Sequence, residues 1–195
     1  MWWLKPAVFL LCLLPFLLLA TAMYQQNLGA NPIETLNHAT GSWTLRFLLL
    51  TLAMTPMRKL SGWSGWIRFR RMLGLFTFFY AVSHFLSWIW LDQQFLWSAI
   101  VEDVLERPYI TVGFAAFLML IPLALTSNKY SMRKLKRRWQ ALHKLVYLIA
   151  ILGVLHYLWL VKAETLEPLV YLGILMFLLL FRLPVNNWGR NKKSC

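Results

Sequence analysis

Met72-Leu-Gly-Leu-Phe-Thr-Phe-Phe-Tyr-Ala-Val-Ser-His84-Phe-Leu-Ser-Trp-Ile-Trp-Leu91 carries no formally charged residue over its whole length, and it lies between Arg70-Arg71 and Asp92. A bilayer core is about 30 Å thick and a helix rises about 1.5 Å per residue, so a span needs roughly 20 mostly apolar residues. This stretch meets that requirement. Working outward from 72–91, five further segments approach it, at 6–24, 43–57, 109–126, 141–161 and 168–183. Inside hydrocarbon every backbone N–H and C=O needs an internal partner, and runs this long and unalternating do not suit barrel strands. The expected fold is therefore all-α, a polytopic membrane bundle of six transmembrane helices forming one domain over residues 1–195. Composition agrees, because 59% of the 195 residues are hydrophobic and 14% charged, outside the usual range of soluble domains.

The net charge of +13 is formally that of a nucleic-acid binder, but its distribution points elsewhere. Arg58, Lys59, Arg68, Arg70 and Arg71 fill one loop, and Lys129, Arg133, Lys134, Lys136, Arg137 and Arg138 fill another. By the positive-inside rule both loops are cytoplasmic, and Lys5, Arg190, Lys192 and Lys193 put both termini on the same side. Glu34, Asp92, Glu102, Asp103, Glu106, Glu164 and Glu167, all the acidic residues, then fall in the opposite loops, where Arg107 and Lys162 are basic. The charge reports topology and attraction to anionic lipid, and no nucleic-acid partner is expected. Cys12 and Cys195 form neither a disulfide framework nor a metal spacing. Ala20-Thr21-Ala22 resembles a signal-peptidase site, but the apolar run before it is long for a cleaved segment and reads as a retained anchor. No internal repeat and no soluble domain is evident.

Ionisable or metal-binding side chains are costly inside a membrane and raise a functional question. His84 lies 13 residues beyond Arg71 at the cytoplasmic end of its span, roughly 20 Å across. His156 lies 13 residues beyond His143, which is near the cytoplasmic end of another span. His84 and His156 therefore share a level in the outer half of the membrane, and two neutral imidazoles at one depth suit the axial sites of a b-type haem. His143 stands at the level of an inner haem, with no second histidine there to complete it. On an ideal helix it also faces about 140° away from His156. Its alternative is an interfacial packing residue beside Lys144. His38 lies in an outer loop and reads as structural or partner-facing.

Arg70 and Arg71 form a candidate site for a flavin phosphate or for haem propionates, against the simpler reading of positive-inside residues. Arg46 near the outer end of the second span either snorkels to the interface or pairs with an outer-haem propionate. Trp66, Trp90, Trp97, Trp139 and Trp188 near span ends read as an aromatic belt.

Arg70-Arg71-Met-Leu-Gly-Leu leading to His84, Arg107-Pro108-Tyr109 opening the fourth span, Trp139-Gln140-Ala-Leu-His143-Lys-Leu-Val-Tyr147 and His156-Tyr157-Leu-Trp159 together resemble the MsrQ family. Its members are haem-binding membrane subunits of the bacterial periplasmic methionine sulfoxide reductase system, within the ferric reductase-like transmembrane group. The resemblance implies a bacterial inner-membrane electron-transfer subunit with one or two haems b and with FMN as a candidate further cofactor. Electrons would come from the quinone pool or a cytoplasmic flavin reductase and pass to a periplasmic molybdopterin subunit that carries the catalytic chemistry. It also implies that His84 and His156 are the outer haem pair, His143 the inner histidine, and Arg70 and Arg71 the arginines linked to FMN. Two other readings of the residues stand beside this one: a small transporter or channel using the histidines for protons or metal ions, and an anchor that recruits a periplasmic enzyme.

Overall fold

The computed structural model describes residues 4–161 and 166–182, and within these every regular element is a helix. The charged residues Lys162, Glu164, Arg190, Lys192 and Lys193, together with Trp188, Cys195 and the last residue of the sixth expected span, lie outside the described residues. The chain order is α1 (Leu4–Tyr24), α2 (Pro32–Ser61), α3 (Gly65–Leu86), α4 (Trp97–Glu106), α5 (Pro108–Leu125), the short α6 (Lys129–Leu135) and α7 (Arg137–His143), then α8 (Leu145–Leu160) and α9 (Leu166–Leu180). A π-helical turn, Ser87–Asp92, prolongs α3.

Among the described residues four stretches are long and apolar enough to cross a membrane: α1, α3 with its π turn, α5, and α7 with α8. The sixth expected segment appears as α9, apolar and 15 residues long. The second is more than the expected 43–57, because α2 runs for 30 residues. Its start is fixed by Asn31, whose side chain accepts from the Glu34 backbone N–H and donates to the Glu34 carboxylate, with Pro32 at the first helical position. Its end is fixed by Gly62, whose φ of 70° is a left-handed cap that few other residues adopt cheaply.

Two antiparallel hairpins, α2 with α3 and α5 with α8, make the most extensive contacts. They meet around Leu52, Ala150 and Val154, which are sealed from solvent, and α9 adds Tyr171, Leu175 and Leu178 to this core. A second core joins α1 to the first hairpin through Cys12, Phe47, Phe76 and Tyr80. The outward face of α1 leaves Leu10, Leu11 and Leu18 about 60% exposed (62%, 65% and 59%), a surface suited to lipid. By this topology Glu34, Asp92, Asp103, Arg107 and Glu167 gather at one end of the bundle and Lys5, Arg58, Arg70 and Arg138 at the other.

Prolines interrupt the helical ladders, and other elements repair them. Pro56 has no N–H for the Leu52 carbonyl one turn earlier, and Arg182 after α9 donates its Nη2 to that oxygen at 2.6 Å. Beside Pro15 in α1, the Tyr80 hydroxyl accepts from Phe16 N–H at 3.0 Å and donates to the Cys12 carbonyl at 2.9 Å, bridging a bond the helix would otherwise make internally.

Candidate functional site

Between α2, α3, α5 and α8, at the acidic end of the bundle, lies a cavity of about 500 Å³, within the size range of small-molecule and cofactor sites. Leu45, Leu48, Ala81, Phe85, Phe117 and Leu120 supply apolar wall, and Asn31, Glu34, Asp92 and Arg107 lie at the mouth. Arg107 pairs with Asp103 at 3.2 Å, and its hydrogen bond to the Tyr109 hydroxyl oxygen together with this carboxylate raises its already high pKa, so it remains charged.

His84 from α3 and His156 from α8 enter this cavity from the two hairpins, with ring centres 6.2 Å apart and ring planes at 72°. His84 Nδ1 lies 3.0 Å from the Asn37 carbonyl oxygen, and His156 Nδ1 lies 2.7 Å from the Tyr109 carbonyl oxygen. A carbonyl can only accept, so both Nδ1 atoms carry the proton and both rings keep a bare Nε2. A ring held by a carbonyl at one nitrogen presents the other as a metal ligand in a fixed orientation. At the observed ring separation, an iron ion held by the two bare Nε2 atoms at about 2 Å from each would fit between the rings. The separation, the tautomers and the apolar walls all fit a haem held between these two residues.

The family described as ferric reductase like transmembrane component matches residues 40–154, which take in α3 and α5 whole and most of α2 and α8, ending two residues before His156. A protein of Azospira oryzae described as protein-methionine-sulfoxide reductase heme-binding subunit MsrQ is 53% identical over 180 residues, covering 91% of this chain and 77% of that protein. Proteins of the same description from Xanthomonas campestris pv. campestris and Xanthomonas euvesicatoria pv. vesicatoria are 55% and 56% identical, each over 80% of this chain and 71% of theirs. The chain belongs to the MsrQ family. It is a multi-pass helical membrane protein.

The remaining residues singled out in the sequence, His143, Arg46, Arg70 and Arg71, are not gathered at this cavity. His143 stands at the break between α7 and α8, stacked on Trp139 with ring centres 4.0 Å apart. Its Nε2 lies 3.0 Å from Thr126 Oγ1. That hydroxyl donates to the Pro122 carbonyl at 2.6 Å, so it accepts from His143 Nε2–H. Trp139 Nε1 donates to the Thr126 carbonyl, and the two side chains tie the end of α5 to α7. Arg46 turns away from the cavity: its Nε donates to Tyr171 Oη at 2.8 Å, Nη2 lies 3.6 Å from Glu167, and the guanidinium sits over Trp43.

Arg70 and Arg71, consecutive on a helix, point about 100° apart. Arg70 is half-buried and within electrostatic reach of Arg182, Tyr147 and His143. Arg71 is exposed and lines a small groove with Lys5, Arg68 and Met72. An anion at this end would meet one guanidinium of the pair rather than a fork. His38 lines the cavity mouth 3.9 Å from Glu34, closer to the site than its loop-like sequence context implies.

The sequence reading missed four groups that make the site: the carbonyls of Asn37 and Tyr109, and Gly41 and Gly113, which face the two imidazoles. Carbonyls leave no trace in a sequence. The glycines do leave one, since Asn37, Gly41 and His84 map onto Tyr109, Gly113 and His156 by a constant shift of 72 positions.

Proposed function

We propose that this chain holds a b-type haem between His84 and His156 and serves as the electron-carrying membrane subunit of a periplasmic methionine sulfoxide reductase system. The observation that carries the reading is the matched pair of imidazoles, each with Nδ1 bound to a helix carbonyl and Nε2 bare. The name shared by the relatives, heme-binding subunit of protein-methionine-sulfoxide reductase, supports the same reading. When bound, haem b supplies a one-electron couple whose potential depends on axial ligation, hydrogen bonding and burial.

The chain's own residues do the rest. Asn37 and Tyr109 hold the ligand tautomers, and Phe85, Phe117 and Leu120 keep water from the cavity walls. The positively charged end is cytoplasmic in this reading, with six spans, both termini inside and the protein in the bacterial inner membrane. Electrons enter there from the quinone pool or a cytoplasmic flavin reductase, with FMN as a candidate carrier beside Arg70 or Arg71. They leave at the cavity mouth to a periplasmic molybdopterin subunit, which performs the reduction of oxidised methionine. No catalytic residue is assigned to this chain.

The test is the visible spectrum of detergent-purified protein, oxidised and dithionite-reduced, with haem quantified per chain. A b-type spectrum in wild type that is lost in both His84→Ala and His156→Ala is the expected result, while His38→Ala retains it. Well-folded wild type without haem absorption but with proton or metal-ion flux in vesicles would replace this reading with transport.

A further inference from the structure

The two histidines are seated by the same local device on different helices. In the first hairpin the Asn37 carbonyl receives His84 Nδ1–H, and the residue one turn further along α2 is Gly41. In the second the Tyr109 carbonyl receives His156 Nδ1–H, and the residue one turn further along α5 is Gly113. Both donor–acceptor pairs are separated by 47 positions. A helical Cα–Cβ bond tilts toward the N-terminus, so the Cβ of residue i+4 leans over the carbonyl of residue i. A side chain from another helix reaches that carbonyl only if residue i+4 leaves the space open.

The space at these positions is already taken by imidazole. A Cβ on Gly41 would stand 3.1 Å from Cε1 and 3.2 Å from Nδ1 of His84. One on Gly113 would stand 2.7 Å from Nδ1 and 2.9 Å from Cε1 of His156. Neither glycine has a positive φ, so neither is required by its backbone. Each is a contact surface for a ring. We propose that Gly41 and Gly113 are a matched pair of positioning residues that set the orientation of the His84 and His156 rings, and through it the ligand field of the haem iron.

The inference rests on the haem reading above and adds to it what fixes the angle between the rings. Each imidazole is held at its Nδ1 by a carbonyl and on its face or edge by a glycine, so the 72° between the ring planes follows from the placement of two helix pairs. Nearly perpendicular axial imidazoles leave the iron d orbitals that bond to them close in energy, and a low-spin ferric haem then gives a strongly anisotropic EPR signal. Nearly parallel planes give a rhombic one.

The experiment is EPR of the oxidised purified holoprotein, with haem per chain and redox midpoint recorded alongside, for wild type, Gly41→Ala, Gly113→Ala and Gly173→Ala. Gly173 in α9 has no atom within 4 Å of an added Cβ and serves as the control. Wild type and Gly173→Ala are expected to share the strongly anisotropic signal. Gly113→Ala, the tighter contact, should shift the signal most or lose half or more of its haem, and Gly41→Ala should shift it less. Glycine variants with wild-type EPR and full haem would overturn the proposal. Should the variants fail to accumulate, a rhombic signal from wild type would overturn it by itself. Wild type without haem would instead strike the proposed function.

Discussion

The Tyr80 hydroxyl occupies a gap that the α1 backbone does not close, accepting a hydrogen bond from Phe16 N–H and donating one to the Cys12 carbonyl. Tyr80 is fully buried, so no water can replace it. Tyr80→Phe should therefore cost on the order of 1–3 kcal/mol, the penalty for buried polar groups left unpaired, read as a lower unfolding temperature in detergent. Arg46 behaves in the opposite way. Its ion pair with Glu167 is 41% and 53% exposed at the two side chains and lies outside the cavity, so Arg46→Gln should cost about 0–1 kcal/mol and leave the haem absorption unchanged. A visible spectrum of that variant with reduced haem would return Arg46 to the propionate role that its sequence position allows. The shared level of His84 and His156 was legible because 13 residues of helix is a distance. The direction of Arg46 was not, because which face a side chain takes depends on neighbours from α9 that lie more than a hundred positions away.

At the scale of elements, the apolar runs located most helices, and the errors fall where polar residues belong to a helix. The first turns of α2, with Glu34 and His38, read as a loop in hydropathy, yet Asn31-Pro32-Ile33-Glu34 is a capped helix start. Likewise α4 reads as part of an acidic outer loop, although its Asp103 is held by Gln93 at 2.6 Å and by Arg107. Asn31→Ala should cost about 1 kcal/mol through loss of the cap, measurable as a small fall in thermal stability with haem content preserved. The join between α9 and α2 is the more sensitive element. Arg182 satisfies the carbonyl that Pro56 leaves open, and it also donates to the Tyr147 hydroxyl. Arg182→Gln should destabilise the protein by roughly 1–3 kcal/mol, and Pro56→Ala in that background should restore part of the loss by giving Leu52 a backbone donor again. No restoration in the double variant would separate the Arg182 contact from the proline.

Across the whole molecule, charge and cofactor geometry share one axis. The distribution of acidic and basic loops was readable from the sequence, and the helix topology brings those loops to opposite ends. What could not be read was that the cavity opens among the acids, because hydropathy gives depth but not which helices face one another. Among the described residues Glu34 and Asp92 line the mouth together with Arg107, already paired with Asp103. A charged partner approaching such a mouth is steered by the local potential, and the effect weakens as the Debye length shrinks from about 10 Å at 0.1 M salt to about 3 Å at 1 M. In the proposed function this mouth is where electrons leave. Reoxidation of the dithionite-free reduced protein should then be accelerated at low salt for a small cationic acceptor and slowed for an anionic one of similar potential, with the two rates converging as salt rises. The double variant Glu34→Gln/Asp92→Asn should reduce the difference several-fold in stopped-flow measurements without changing the absorption spectrum. Equal salt dependence in the variant and wild type would mean that electrons leave by another route, because the cavity would then exchange them without its own rim being felt.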